Sequence, residues 1–257
     1  MANAKDNAIN LYMDGIRDGN PREAVTAYTG DRYTQHSTGV ADGAEGFVAF
    51  FEPFIERNPG RDIRVVRALQ DGPHVFLQAY QNINDGEAEW ITTDFFDSDA
   101  DGKIVEHWDV IAAVQPPNPS GRTQYDGPTE VRDLDKTTAN KALVKGFIDT
   151  VLINREIDRV AEFINPDKYL QHNPDVGDGL EHFAALYGAE DCPLSYQECF
   201  MSVAEGNFVA TLNKARYEDQ DLCQVDIFRV EDGKIVEHWD NSEPVPPKEE
   251  WANSGKF

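Results

Sequence analysis

Gly102-Lys103-Ile104-Val105-Glu106-His107-Trp108-Asp109 recurs without a change as Gly233-Lys234-Ile235-Val236-Glu237-His238-Trp239-Asp240. The two stretches stand 131 positions apart in a chain of 257 residues. Chance rarely reproduces an octapeptide containing His, Trp and Asp, so this is an internal repeat. On a strand, residues two apart share a face. Regular alternation therefore sends Val, His and Asp of each copy to one side and Ile, Glu and Trp to the other. An imidazole and a carboxylate meet twice in this way, as His107 with Asp109 and as His238 with Asp240.

Working outward, the match continues. Tyr33-Thr34-Gln35-His36 aligns with Tyr169-Leu170-Gln171-His172, and Asp42-Gly43 with Asp178-Gly179. Asp94-Phe95-Phe96 aligns with Asp226-Ile227-Phe228. Each copy has the length of a compact domain and is too long for a solenoid unit. The expected organisation is repeat 1 over residues 1–115, a linker over 116–135, and repeat 2 with a tail over 136–257. Pro116 to Thr129, rich in Pro, Gly and polar residues, marks the linker.

The order of elements is the same in both copies. Ile9, Tyr12, Met13 and Ile16 follow helical spacing, Asn20-Pro21 starts a second helix, and Gly43 opens a third. Phe47, Phe50, Phe51, Phe54 and Ile55 form an aromatic stripe on that third helix, expected to be core with some surface left as a pocket wall. Strands are predicted at Ile63 to Leu69, Val75 to Ile83, Ala88 to Phe96 and Ile104 to Val114, with turns at Asp71-Gly72 and Asp85-Gly86. In the second copy, Leu143 to Val151, Ile157 to Ile164 and Leu180 to Tyr187 supply helices. Strands follow at Tyr196 to Ala204, Phe208 to Tyr217, Cys223 to Val230 and Ile235 to Asp240. Helices followed by consecutive hairpins indicate α+β, with a curved antiparallel sheet packed on about three helices. Such a sheet can leave a cone-shaped cavity, and two copies could pack sheet to sheet as an internal pseudo-dimer, with further homo-oligomerisation open.

Composition narrows the function. A formal charge of −24, from 47 acidic and 23 basic residues, argues against nucleic-acid and anionic-membrane partners. It is consistent with a solubilising surface or with adaptation to high salt. No apolar run reaches the ~20 residues of a membrane span, and Met1 to Asn10 lacks the regions of a signal peptide, so the expected location is cytoplasmic. Cys192, Cys199 and Cys223 all lie in the second copy and form no C-x-x-C pair. No nucleophile elbow, Walker loop or dinucleotide fingerprint is present. His36, His107, Asp94 and Asp109 are types that suit a metal, but no tight ligand spacing accompanies them. Neither a metal nor another cofactor is expected.

The series Y-x-Q-H, then D-G with a helix, then Val225 to Asp240 (V-D-I-F-R-V-E-D-G-K-I-V-E-H-W-D) resembles the SnoaL-like branch of the NTF2-like superfamily, once per repeat. The resemblance implies two cone-shaped α+β barrels, each with a buried pocket between sheet and helices. It also implies polyketide cyclase-like chemistry, an intramolecular aldol condensation. In that family the catalytic acid/base is an Asp ending the last strand, which corresponds to Asp109 and Asp240. A pocket-lining polar residue corresponds to Gln35 and Gln171, each followed by a His, His36 and His172. The cyclases also alternate Gln and His on the preceding strand. Here Thr92 and Asp94, and Gln224 and Asp226, occupy those positions, so the chain departs from the pattern there.

The chemistry of these residues is that of a carbon acid beside a carbonyl. Proton abstraction needs a base and a donor to the developing enolate oxygen, and an Asp in an apolar pocket serves because desolvation raises its proton affinity. Asp94 with Asp109, and Asp226 with Asp240, form candidate carboxylate pairs, with His107 and His238 to orient them or to donate. The alternative is a strand-end Asp bonded to backbone amides and a satisfied core His, in a non-catalytic module that binds a small molecule. The second repeat keeps Asn173 and Gln224 where the first has Ser37 and Thr92, which favours the second pocket.

Overall fold

The computed structural model describes residues 3–189 and 191–257; Met1, Ala2 and Glu190 lie outside the described residues. The chain divides into unit 1, Met1–Ala113 with Pro246–Phe257, and unit 2, Val114–Val245. Both are α+β, each built on a five-stranded sheet.

In unit 1, α1 (Ala4–Tyr12) is capped by the Asn3 side chain, which accepts from the Asp6 backbone N–H. It continues into a π-helical turn, Met13–Arg17. Pro21 opens α2 (Pro21–Tyr28) at its first position. Then come β1 (Thr29–Gln35), α3 (Gly43–Arg57), β2 (Arg61–Asp71), β3 (His74–Ile83), β4 (Ala88–Ser98) and β5 (Ile104–Ala113). The strand order is β1-β5-β4-β3-β2. Leu11, Val25 and Phe47 from the helices and Val75, Leu77 and Phe96 from the sheet share one buried cluster. Burial of this apolar surface is what holds helices to sheet.

Three features of unit 1 depart from the sequence expectation. Thr29–Gln35 carries no apolar alternation, and no strand is predicted there; it forms because β5 accepts it as a parallel neighbour, pairing Gln35 with His107. The sheet is therefore mixed. It also stays open, with β1 and β2 as its edges, so it is a curved cone-like layer and not a closed barrel. Finally, β5 bulges. Asp97 pairs with Glu106 but Ser98 with Ile104, which leaves Val105 without an opposite residue. The extra residue reverses the alternation, so Ile104 joins the helix-side core and not the face of Glu106 and Trp108.

Unit 2 repeats this order. It has α4 (Thr137–Phe147) with a π-helical continuation Ile148–Ile153, a short β6 (Leu170–Gln171), α5 (Leu180–Tyr187), β7 (Leu194–Glu205), β8 (Phe208–Tyr217), β9 (Gln220–Glu231) and β10 (Lys234–Pro244). The strand order is β6-β10-β9-β8-β7, with β6 parallel to β10. The same bulge falls between Ile235 and Glu237. The helix expected at Ile157 to Ile164 is a 3₁₀ segment, Ile157–Glu162. Asp232 and Gly233, both with positive φ, form the turn into β10.

The stretch expected as a linker is folded into unit 2. Asn118 Nδ2 donates to the carbonyls of Gln171 (2.6 Å) and Val176 (2.9 Å), and Arg122 forks onto Asp178. A polar, proline-rich sequence satisfies its backbone through such side chains in place of a ladder. The segment after β10 does the equivalent in unit 1. No helix among the described residues is long and apolar enough to cross a membrane.

Candidate functional site

β4 and β5 set the centre of unit 1. Their antiparallel register places Asp94 directly opposite Asp109 and Phe96 opposite His107. Cross-strand partners share a face, so both carboxyls and the imidazole project together toward the helices. The parallel strand β1 adds Gln35 beside His107. The backbone N–H of Gln35 is held by the Asp42 carboxylate at 2.7 Å, which accounts for the repeated Asp-Gly before the third helix.

These side chains face a cavity of about 300 Å³. Leu11 and Ile16 from the first helix and its π turn, Phe47, Phe51 and Phe54 from α3, and Trp90 from β4 make it mostly apolar. Phe50 and Ile111, each 43 % exposed, stand at its rim. Polar groups are few: Tyr12, Tyr33, Gln35, Ser37, Gln81, Asp94, His107 and Asp109. An apolar chamber with a small convergent polar set is the usual form of a small-molecule site.

A hydrogen-bonded chain crosses the polar end. His107 Nδ1 lies 2.8 Å from Gln35 Oε1, an acceptor, so Nδ1 carries a hydrogen and donates it. His107 Nε2 lies 3.0 Å from Asp94 Oδ1. The other oxygen, Asp94 Oδ2, is buried and makes no hydrogen bond. Burial pushes the Asp94 carboxyl above its ordinary range; His107 and, less strongly, the Thr92 hydroxyl oppose the shift, and the charge of Asp109 adds to it. Asp109 goes the other way. Burial would raise it too, but the Lys256 ammonium, 3.0 Å from Asp109 Oδ1, and His107 hold it below the usual carboxylate range. Burial keeps the Tyr12 and Tyr33 phenols protonated, and the charges of Asp94 and Asp109 reinforce this.

Unit 2 has the same frame with different occupancy. Asp226 pairs with Asp240 across β9 and β10. Gln171 Oε1 accepts from the backbone N–H groups of His172 and Asn173 and from His238 Nδ1. His238 Nε2 then donates to Asp226 Oδ1 at 2.9 Å. Asp226 also receives Asn213 Nδ2 at 2.8 Å and the Tyr196 hydroxyl at 2.9 Å. Burial works against the His238 charge, yet the bond to Asp226 and the nearby carboxylates outweigh it and raise the imidazole above its ordinary range. Asp240 Oδ2 accepts from Asn173 Nδ2 at 2.6 Å. Burial and the Asp226 charge nevertheless raise the Asp240 carboxyl, against partial opposition from His238.

The remaining expected residues are placed elsewhere. His36 is absent from the cavity lining: Nδ1 donates to the Gly255 carbonyl (2.6 Å), Nε2 faces Glu106, and the ring stacks on Trp108. His172 makes the equivalent contacts with the Thr123 carbonyl, Glu237 and Trp239. Thr92, on the same strand face as Asp94, is bonded to Tyr12 at 2.6 Å and its hydroxyl also works to lower the Asp94 carboxyl. Gln224 lies beside Asp226. Donor atoms of Asp226, His238 and Asp240 fall within 4.8 Å of one another, a set able to meet a cation. Asp226, however, already has its lone pairs engaged by Tyr196, Asn213 and His238. Sequence reasoning missed Lys256, Tyr12 and Tyr33. The one signal for Lys256 was that Asn253-Ser254-Gly255-Lys256 echoes Asn118-Pro119-Ser120-Gly121-Arg122.

Residues 9–107 match the family described as a SnoaL-like domain, a span that runs from α1 to His107 and covers less than half of the chain. Similar solved structures cover about one unit. A protein from Bacillus cereus assigned as a polyketide cyclase is 18 % identical over 41 % of this chain and 71 % of its own (TM-score 0.37). One from Kribbella flavida assigned as a ketosteroid isomerase is 19 % identical over 44 % and 87 % (TM-score 0.38). An LEH-like epoxide hydrolase of M. tuberculosis is 20 % identical over 42 % and 85 % (TM-score 0.36). No curated protein matches the chain in sequence.

Proposed function

We propose that unit 1 binds a small apolar carbonyl compound in its cavity and transfers a proton to and from it through Asp94. The observation that carries this reading is Asp94 Oδ2, a buried carboxylate oxygen with no hydrogen-bond partner in an apolar chamber. A structural Asp buried to this degree would have that oxygen satisfied, as Asp226 has in unit 2.

In the proposed step, Asp94 Oδ2 takes a proton from the carbon next to the carbonyl. The C–H electron pair moves into the carbon–carbon bond and the carbonyl becomes an enolate. Raised proton affinity makes Asp94 a better base than a free carboxylate. His107, fixed by Gln35, orients the carboxyl. Tyr33 lines the cavity with a protonated phenol and supplies the hydrogen bond to the enolate oxygen. Return of the proton at another carbon gives isomerisation, and attack of the enolate carbon on a second carbonyl gives aldol closure. Unit 2, whose Asp226 is saturated, is read as a structural or binding module.

Exchange of α-protons into deuterated water, followed by NMR over a panel of apolar ketones, tests the reading. At least one ketone exchanges with the wild type and loses ~10²–10⁴-fold with Asp94→Asn. Equal rates in the two proteins would leave unit 1 a binding module.

A further inference from the structure

The segment after β10 ends inside unit 1. Ala252 N donates to the Thr38 carbonyl at 2.8 Å, and Asn253 Nδ2 donates to the carbonyls of Ser37 (2.6 Å) and Val40 (2.9 Å). Gly255, at φ 110°, donates its N–H to Asn253 Oδ1, and a Cβ there would run into the Trp251 ring. His36 closes the clamp through the Gly255 carbonyl. The next side chain, Lys256, is 2 % exposed and directed at Asp109. Five contacts therefore hold one buried ammonium at one carboxylate.

We propose that Lys256 is the positioning residue of the unit 1 site, fixing the ionised carboxylate on Asp109 so that Asp94 is the member of the pair that takes up and returns the substrate proton. This rests on the proton-transfer reading of that unit. Two facing carboxyls in a low-dielectric chamber repel, and one of them takes up a proton. Asp94 faces His107, Asp109, Thr92, Tyr12 and Tyr33. Asp109 faces His107, Ser37, Asp94 and Lys256. Of these only Lys256 is a cation held to one member of the pair alone. The directions of the two shifts agree, with Asp94 raised and Asp109 lowered.

Unit 2 supplies the contrast. Its strap, residues 114–127, grips the loop after β6 through Asn118 as Asn253 grips the loop after β1. Yet the cation of that strap, Arg122, goes to Asp178. The last-strand carboxyl Asp240 receives the neutral Asn173 amide instead and is raised. The same scaffold thus carries a cation to the pair in one unit and away from it in the other.

Titration of the Asp carboxyls tests this in the full-length protein without substrate. Carbon-13 NMR on Asp-labelled wild type, assigned with Asp94→Asn and Asp109→Asn, reads the two groups separately. The expected order is Asp109 first and Asp94 last as pH rises. Lys256→Met moves the Asp109 midpoint up by about one to three pH units, and Lys256→Arg keeps it low. Asp94 titrating before Asp109 in the wild type overturns the proposal whether or not a variant folds. So does a folded Lys256→Met with an unmoved Asp109. A split titration with no ketone exchanged would instead sink the proposed function and leave the role of Lys256 standing.

Discussion

Unit 1 and unit 2 share an octapeptide, a sheet order and a Gln–His–Asp chain, yet their last-strand carboxyls lie on opposite sides of the ordinary range. Asp109 is held low by a buried ammonium, while Asp240 is raised by burial and kept company by an amide. The partner strand differs as well: Asp226 has four side-chain donors, from Tyr196, Asn213, His238 and Gln224, and Asp94 keeps one oxygen without any. Identical residues on identical strands thus acquire different chemistry from what the loops and straps bring to them. The two units share a frame and differ in the partners set around it.

The sharpest break between the units is in stability. Asp226→Asn strips a fully buried carboxylate from His238, Tyr196 and Asn213 and costs about 3–5 kcal/mol in urea unfolding. Asp94→Asn removes a poorly satisfied carboxylate, and an amide there can still meet His107, so its cost stays near zero, within about 1 kcal/mol. Equal losses at the two positions would erase the distinction drawn between a structural and a reactive Asp.

Next comes the residue that separates Asp240 from Asp109. Asn173→Ser deletes a charge-assisted bond to Asp240 and costs about 1.5–3 kcal/mol, with the Asp240 titration moving higher. Ser37→Ala, beside the ammonium-paired Asp109, costs less. A larger loss at Ser37 in the same unfolding experiment would contradict this ranking.

The pH dependence separates the units by sign. His238 is raised, so its contribution is complete below the unfolded value of about 6.5 and is lost as pH rises through its folded value. Asp109 is lowered, so its contribution is present above about 3.9 and is lost as pH falls through its folded value. Asp94 and Asp240, both raised, weaken the fold as pH climbs through their folded values. His238→Gln therefore flattens the alkaline limb of stability and Asp109→Asn the acid limb, each by at most about 1.4 kcal/mol per pH unit. Unfolding midpoints collected across both limbs would contradict this if the two variants exchanged roles. The smallest effect is general: with a charge of −24, added salt raises the melting temperature modestly as the Debye length shrinks from about 10 Å toward 3 Å. A flat or falling curve removes high-salt adaptation as an account of the acidity.

Much of this was legible in the chain. The octapeptide pointed to two units of like order, the Asp-Gly dipeptides placed the hairpins, and the Phe47 to Phe54 stripe foretold a cavity wall. His107 and Asp109 share a strand face because their spacing requires it, and the pairing of β4 with β5 brings Asp94 opposite Asp109. Other features depend on contacts that no local pattern encodes. β1 is polar and owes its existence to β5. The bulge at Val105 reverses a face that simple alternation assigns to Ile104. Lys256 reaches Asp109 across 147 positions from a segment without periodicity. The sequence also favoured the second pocket on Asn173 and Gln224, whereas the unpartnered carboxylate and the cavity described above belong to unit 1. Tyr196, Asn213 and His238 saturate Asp226 in unit 2, and that satisfaction is a property of three-dimensional neighbours.

The most direct test compares α-proton exchange of one accepted ketone in Asp94→Asn and Asp226→Asn, each confirmed folded by circular dichroism. The account predicts exchange abolished in the first and retained in the second. Exchange retained in Asp94→Asn and lost in Asp226→Asn would contradict it and move the chemistry to unit 2.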